Sequence, residues 1–198
     1  MRREKRDELN HYLDELRTVR RELIENPKRH FITSKSYRYY LNNGRSIPRE
    51  QLLKNGTSGS AVMVAPRLDN GEFIVVIEPR VFTEHGIAMS FPAGYIELGE
   101  EPEFAALREL REETGYTSDE LIHLDSFYQD EGVSEAYNHS FLALNAYKKY
   151  DQELGQNEIV RYMSLTLDEI LEVEKMGIVS GSNTKLTLCR IKDYMKGR

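Results

Sequence analysis

Between Gly94 and Tyr116 the chain carries seven glutamates against two arginines, a local charge of -5 in a protein whose whole formal charge is -6. Any fold this chain adopts must place that charge where it is solvated, paired or used. The same window predicts a helix over 102–114. Pro102 suits the first helical position, Glu101 and Glu103 suit the positive end, and Gly115 suits the residue just past the C-terminus. On such a helix Glu109, Glu112 and Glu113 stand at i, i+3 and i+4 and project from one face, where like charges cost about 0.2–0.5 kcal/mol per pair. Arg108 offsets part of this through Glu112, four residues on. Phe104, Leu107 and Leu110 are expected on the opposite face, pinning the helix to a core. Two readings stand at this point: a solvated acidic face, or clustered carboxylate oxygens that hold a hard divalent cation.

Around this helix the pattern alternates strands and helices without a regular βαβ rhythm, which implies α/β or α+β layers. Leu9, Tyr12, Leu16, Val19 and Leu23 form one apolar stripe and predict a helix from Arg2 to Glu25, ended by Pro27. Residues 31–51 hold two β-type runs joined at Asn42-Asn43-Gly44, a hairpin signal. Residues 60–65 and 73–78 read as buried strands on either side of Asp69-Asn70-Gly71. Further strands are expected near 121–128, 138–147 and 158–164, and helices near 166–175 and 184–196. The Gly56–Gly59 segment lacks the Lys-Ser/Thr pair of a phosphate-binding loop and reads as a turn.

Composition removes several functions. Lys plus Arg number 27 against 33 acidic residues, so no overall field draws the chain to nucleic acid or an anionic membrane. No apolar run approaches the roughly 18 residues that span a bilayer, and no apolar stretch follows the charged N-terminus as in a secretory signal. The single cysteine, Cys189, reads as a small buried hydrophobe of a reducing compartment, which makes the expected location cytoplasmic. His11, His30, His85, His123 and His139 are scattered, with no zinc-ligand spacing.

The spacing within the acidic window carries more than its charge. Gly94, Glu100, Arg108, Glu109, Leu110, Glu112, Glu113 and Gly115 stand in the register Gly-x5-Glu-x7-Arg-Glu-U-x-Glu-Glu-x-Gly-U, where U is aliphatic and only the closing Tyr116 departs. The chain thus resembles the Nudix hydrolases. Flanking segments are similar to the ADP-ribose pyrophosphatase branch: Phe91-Pro92-Ala93 before the motif, the run Tyr39–Lys54, Val75–Arg80, the loop Tyr128–Glu135, and the ending from Asn157 to Met195. Together they cover about residues 37–198.

This resemblance implies a Nudix fold of mixed β-sheets sandwiched between helices. Residues 1–56 would form an N-terminal helix and small β-domain that joins two copies into a homodimer, and residues 57–198 the hydrolase domain. The implied substrate is a small nucleotide, a nucleoside diphosphate linked to another moiety. ADP-ribose or a related ADP-sugar leads, yielding AMP and a sugar phosphate; another nucleotide sugar, a dinucleotide cofactor or a non-catalytic ligand-binding module are the alternatives. Glu109, Glu112, Glu113 and the Ala93 carbonyl would hold Mg²⁺, with Mn²⁺ as a substitute. Arg108 and Glu100 would orient that shell, and Gly94 would allow close backbone approach. Glu112 and Glu113 are the implied catalytic carboxylates with Glu158 as general base, Glu153 in reserve. Arg80 and Glu135 would contact substrate. Tyr37, Tyr39 and Tyr40 have two readings, core packing, which is the commoner use of such rings, or stacking on adenine. About sixteen residues beyond Gly115, where that branch carries proline, this chain has Glu131, a departure that bears on which nucleoside diphosphate derivative is the substrate.

Overall fold

The computed structural model describes residues 1–18, 20–22 and 30–197. Its elements are α1 (Arg3–Glu15), β1 (Ile32–Tyr40), β2 (Ser46–Lys54), β3 (Ala61–Pro66), β4 (Phe73–Pro79), β5 (Ile87–Ser90) and β6 (Ala93–Tyr95). Then come α2 (Pro102–Thr114), β7 (Tyr116–Thr117), β8 (Glu120–Tyr128), β9 (Tyr137–Leu144), β10 (Tyr147–Lys148), β11 (Arg161–Leu165), α3 (Leu167–Lys175) and α4 (Ser182–Lys196).

Two sheets build the body. One has the order β6-β3-β9-β8 and the other β11-β4-β5. The two strands flanking Asp69-Asn70-Gly71 therefore do not pair with each other: β3 runs parallel to β9 and β4 joins β11 and β5. Alternation on β3 explains the layering. Met63 and Ala65 face a core shared with Phe73, Val75 and Ile77 of β4 and with α3 and α4, while Val62 and Val64 face Ala105, Ala106 and Leu110 of α2. The acidic helix thus lies on the outer face of the four-stranded sheet.

Helix α1 is shorter than its apolar stripe predicts. It ends at Glu15 with Leu16 as C-cap; Val19, Leu23 and Pro27 lie outside the described residues. Leu9 and Leu16 are buried in the main core. Arg2 grips Glu169 and Glu72, and Glu169 in turn completes a capping box with Thr166 at the start of α3. Helix and hairpin, grouped together in residues 1–56 by sequence, part company in space: α1 seats on the body, whereas all nine residues of β1 are exposed.

Two expectations fail for the same geometric reason, the face a helix turns inward. On α2 the buried positions are Ala105, Ala106, Leu110, Glu113 and Thr114, and Phe104 is 68% exposed. The helix approaches its sheet through small alanines, and the acidic face and the buried face largely coincide. On α4 the stripe Thr184, Thr187, Leu188 and Ile191 is buried, which leaves Cys189 exposed. Among the described residues no helix is long and apolar enough to cross a membrane.

Candidate active site

Helix α2 delivers its carboxylates through two local devices. Pro102 starts it, and Gly115 ends it at φ 71°, a left-handed conformation that favours glycine. A side chain at Gly115 would also collide with the Tyr150 carbonyl. At the other side of the site, a Cβ on Gly94 would overlap the Glu109 carboxylate, so glycine there leaves room for the acid.

A cleft of about 840 Å³ opens beside this helix. It takes in Glu109 and Glu113 from α2, Ala93 and Gly94 from β6, Glu78 and Arg80 from the end of β4, Glu158 from the loop before β11, and Lys54 from the hairpin. Glu158, some 45 positions away from Glu113 in the chain, therefore reaches the same cavity as the helix carboxylates. Glu112 is not among the residues lining the cleft; its Oε2 accepts from Arg108 Nη1 at 3.2 Å.

Arg108 organises the helix side. Its Nε and Nη2 donate to the two oxygens of Glu100 at 2.8 and 2.9 Å, Nη2 also donates to the Tyr95 carbonyl at 3.0 Å, and Nη1 donates to Glu109 Oε1 at 2.7 Å as well as to Glu112. All five guanidinium N–H groups are used. The Arg108–Glu100 pair is thus a fixed anchor, and it occupies one oxygen each of Glu109 and Glu112. Glu100 holds Arg108 protonated, and Arg108 holds Glu100 below the usual carboxylate range.

The electrostatics invert in the cleft. Burial, followed by the charges of Glu78 and Glu109, pushes Glu113 well above the ordinary carboxylate range, although the Ala93 amide donates to its Oε2 at 3.1 Å. Burial likewise raises Glu109 and Glu78, and Glu158 adds to the negative field at all three. Removing carboxylates from water next to one another is unfavourable unless a cation or proton neutralises them. Every candidate donor is a hard oxygen, which fits Mg²⁺ or Mn²⁺. Among the described residues no three acidic, imidazole or thiol groups converge into a ready-made cage, so the fit lies in donor type and charge.

Several residues fall elsewhere. Glu135 Oε2 accepts from Gln51 Nε2 at 2.8 Å, and with Glu131 this residue lines a separate depression against the hairpin. Glu153 is on the outside, 3.6 Å from Arg111. Tyr37, Tyr39 and Tyr40 are exposed on β1 rather than packed in a core. Arg80 is in the cleft and donates to Glu78 Oε1 at 2.5 Å.

Sequence reading missed Glu78 and Lys54. Glu78 had a usable signal: it lies two residues before Arg80, at the end of a run that reads as a strand, where period-two alternation turns both towards one side. Lys54 had none, because its place depends on how the hairpin docks. Its ammonium donates to Gln129 Oε1 at 2.8 Å, sits 5.9 Å from the Tyr95 ring, and has its pKa lowered by burial.

With this geometry the comparisons agree. A profile of the NUDIX domain matches residues 57–182. The chain is 39% identical over 134 residues to the ADP-ribose pyrophosphatase of Bacillus subtilis (strain 168), covering 67% of this chain and 70% of that one. It is 34% identical over 149 residues to the methanol dehydrogenase activator of Bacillus methanolicus, covering 75% and 78% respectively. A solved structure described as an ADP compounds hydrolase superposes with a TM-score of 0.72 over 89% of this chain and 91% of that one; at 23% identity it attests the shared fold. The helix, its glutamate spacing and its sandwich setting are those of this family: the chain belongs to the Nudix hydrolases, in the branch of the ADP-ribose pyrophosphatases.

Proposed function

We propose that this pyrophosphohydrolase cleaves the diphosphate bond of ADP-ribose or a related ADP-sugar, releasing AMP and a sugar phosphate. The observation that carries the reading is the set of largely buried, under-neutralised carboxylates Glu109, Glu113 and Glu78, which face one cleft with the exposed Glu158 and Arg80. Glu109, Glu113, the neighbouring Glu112 and the Ala93 carbonyl are the oxygens that would hold Mg²⁺, or Mn²⁺ in its place. When bound, such a cation offsets phosphate charge and favours water as a nucleophile.

The chain's own residues do the rest. Arg108, anchored on Glu100, fixes Glu109 and Glu112 in place. Glu158 takes the proton from the attacking water as the new P–O bond forms and the bridging P–O bond breaks. Arg80 presents its guanidinium to the diphosphate from the end of β4. The hairpin, whose strand β1 is exposed along its whole length, docks a second copy of the chain.

The test is phosphate release, with alkaline phosphatase coupling and Mg²⁺, from ADP-ribose, ADP-glucose, GDP-mannose, NADH and diadenosine polyphosphates. Preferred cleavage of ADP-ribose supports the reading. Preference for another member makes the loop around Glu131 the determinant of a different specificity, and silence across the panel refutes hydrolysis.

A further inference from the structure

The C-terminal turn of α2 carries Glu112 and Glu113, and its carbonyls need partners because no further helical N–H follows. Nearly all come from one short stretch of chain. Glu112 O accepts from Glu153 N at 2.8 Å, Glu113 O from Gln152 Nε2 at 2.6 Å, Thr114 O from Lys148 Nζ at 2.7 Å, and Gly115 O from Lys149 N and Tyr150 N at 3.0 Å. Residues 148–153 thus clamp the helix end, and the same segment then runs on to Glu158.

Within this clamp Gln152 differs from the rest. Its Nε2 donates both to Glu113 O and, at 3.2 Å, to Val160 O. Val160 is buried at the threshold of β11, two residues after Glu158. One amide nitrogen therefore ties the backbone of Glu113 to the backbone that ends the Glu158 loop. The orientation of the amide follows from its surroundings: turned over, it would set an oxygen against two carbonyl oxygens. The remainder of the loop is weakly held from outside, since residues 155–159 are exposed and the Glu158 carboxylate accepts from Gly155 N within the loop at 2.7 Å.

We propose that Gln152 is a positioning residue: through its two-carbonyl bridge it sets the distance between the Glu113 end of the carboxylate helix and Glu158, and so the placing of the base over the reacting phosphate. This rests on the reading of the cleft as a pyrophosphohydrolase site with Glu158 as base. Gln152 does not line the cleft, so its removal should act on kcat and leave KM.

The test uses Gln152→Met, which keeps the length and removes both donors, and Gln152→Glu, which puts carboxylate oxygens against the two carbonyls. We expect kcat to fall about 10- to 100-fold in Gln152→Met, the range of supporting residues around a site, with KM within about twofold. The fall is larger in Gln152→Glu. Amide hydrogen exchange in residues 155–160 should rise about tenfold in both, while α3 and α4 stay protected. Wild-type kcat and unchanged exchange in Gln152→Met overturn the proposal, as does a loss confined to KM. Should Gln152→Met not fold, Gln152→Asn, which retracts the amide by one methylene, is read by the same two measurements. Failure of the functional reading looks different: wild type is silent on every nucleotide, and exchange alone then decides whether Gln152 ties the loop.

Discussion

Gly94→Ala is the sharpest perturbation of this site, because the structure specifies what one methyl group meets. The added carbon would sit well inside van der Waals contact with all three atoms of the Glu109 carboxylate. Restoring ordinary contact at about 3.5 Å requires the carboxylate to retreat by about 1 Å or more. The clash involves the end of a side chain, so the backbone need not move, and φ at Gly94 is not in the left-handed region. What is lost is the 2.7 Å bond from Arg108 Nη1 and the position of one proposed cation ligand. A charge-assisted bond of this kind contributes about 1.5–3 kcal/mol, and replacing glycine returns about 0.4–1 kcal/mol through the unfolded chain. The net loss of stability is therefore about 0.5–2.6 kcal/mol, about 1–10 °C in melting temperature for a chain of this size. A 1 Å misplacement costs about 100-fold in rate, or about 2.7 kcal/mol of transition-state stabilisation. The assay is kcat/KM on the best substrate with Mg²⁺, beside a thermal melt. In a Glu109→Ala background the same substitution should cost nothing further, because the group it displaces is gone. Full activity in Gly94→Ala, or equal additional loss in the double variant, refutes the account of Glu109. A collapse in melting temperature refutes the claim that the side chain absorbs the clash.

Glu113→Gln should abolish most turnover yet be at least as stable as wild type in metal-free buffer at neutral pH, since the neutral amide escapes the field of Glu78 and Glu109 and its oxygen still accepts from the Ala93 amide; a marked drop in melting temperature contradicts the crowding. Glu169 is held down to about 2 by Arg2, aided by its bonds to the backbone of Arg2 and Thr166. Its folded pKa lies below the unfolded value, so its contribution is complete above about pH 4.5 and disappears as pH falls towards 2. Glu169→Gln should therefore melt lower than wild type at pH 7, with the gap shrinking steadily as pH falls from about 4.5 through 2, and a constant difference across that window refutes the linkage. Light scattering should give twice the chain mass at micromolar concentration, falling to one when β1 and β2 are deleted; a wild-type monomer refutes pairing through the hairpin.

Much of this was legible because local rules and tertiary needs coincide. The bounds of α2 follow from Pro102 and Gly115, whose backbone constraints act whatever surrounds them. The glutamate register follows from helical periodicity, and the hairpin turn from Asn42-Asn43-Gly44. What the sequence hid depends on packing. The stripe through Leu9 and Leu16 reads as a longer helix because periodicity carries no stop at Glu15. Phe104 looks like a core anchor, but α2 turns its alanines inward, a choice made by the close approach to β3. Glu78 joins Glu113 only once the end of β4 is folded against the helix; Glu158 was legible through the family resemblance alone, because no spacing rule links it to the helix 45 positions earlier. Glu131 and Glu135 read as part of the substrate loop, yet they face the hairpin because Gln51 holds Glu135 there.

The central claim is that the buried acids around Glu109 and Glu113 form a cation-dependent site for splitting a diphosphate. Its most direct test is an Mg²⁺ titration of chelator-treated protein with ADP-ribose, with AMP and ribose 5-phosphate quantified as products. The account predicts no turnover without the cation, saturable turnover with it, equal amounts of the two products, and loss of the response in Glu113→Gln. Hydrolysis that proceeds unchanged in chelator, or that survives in Glu113→Gln with the same Mg²⁺ dependence, contradicts it.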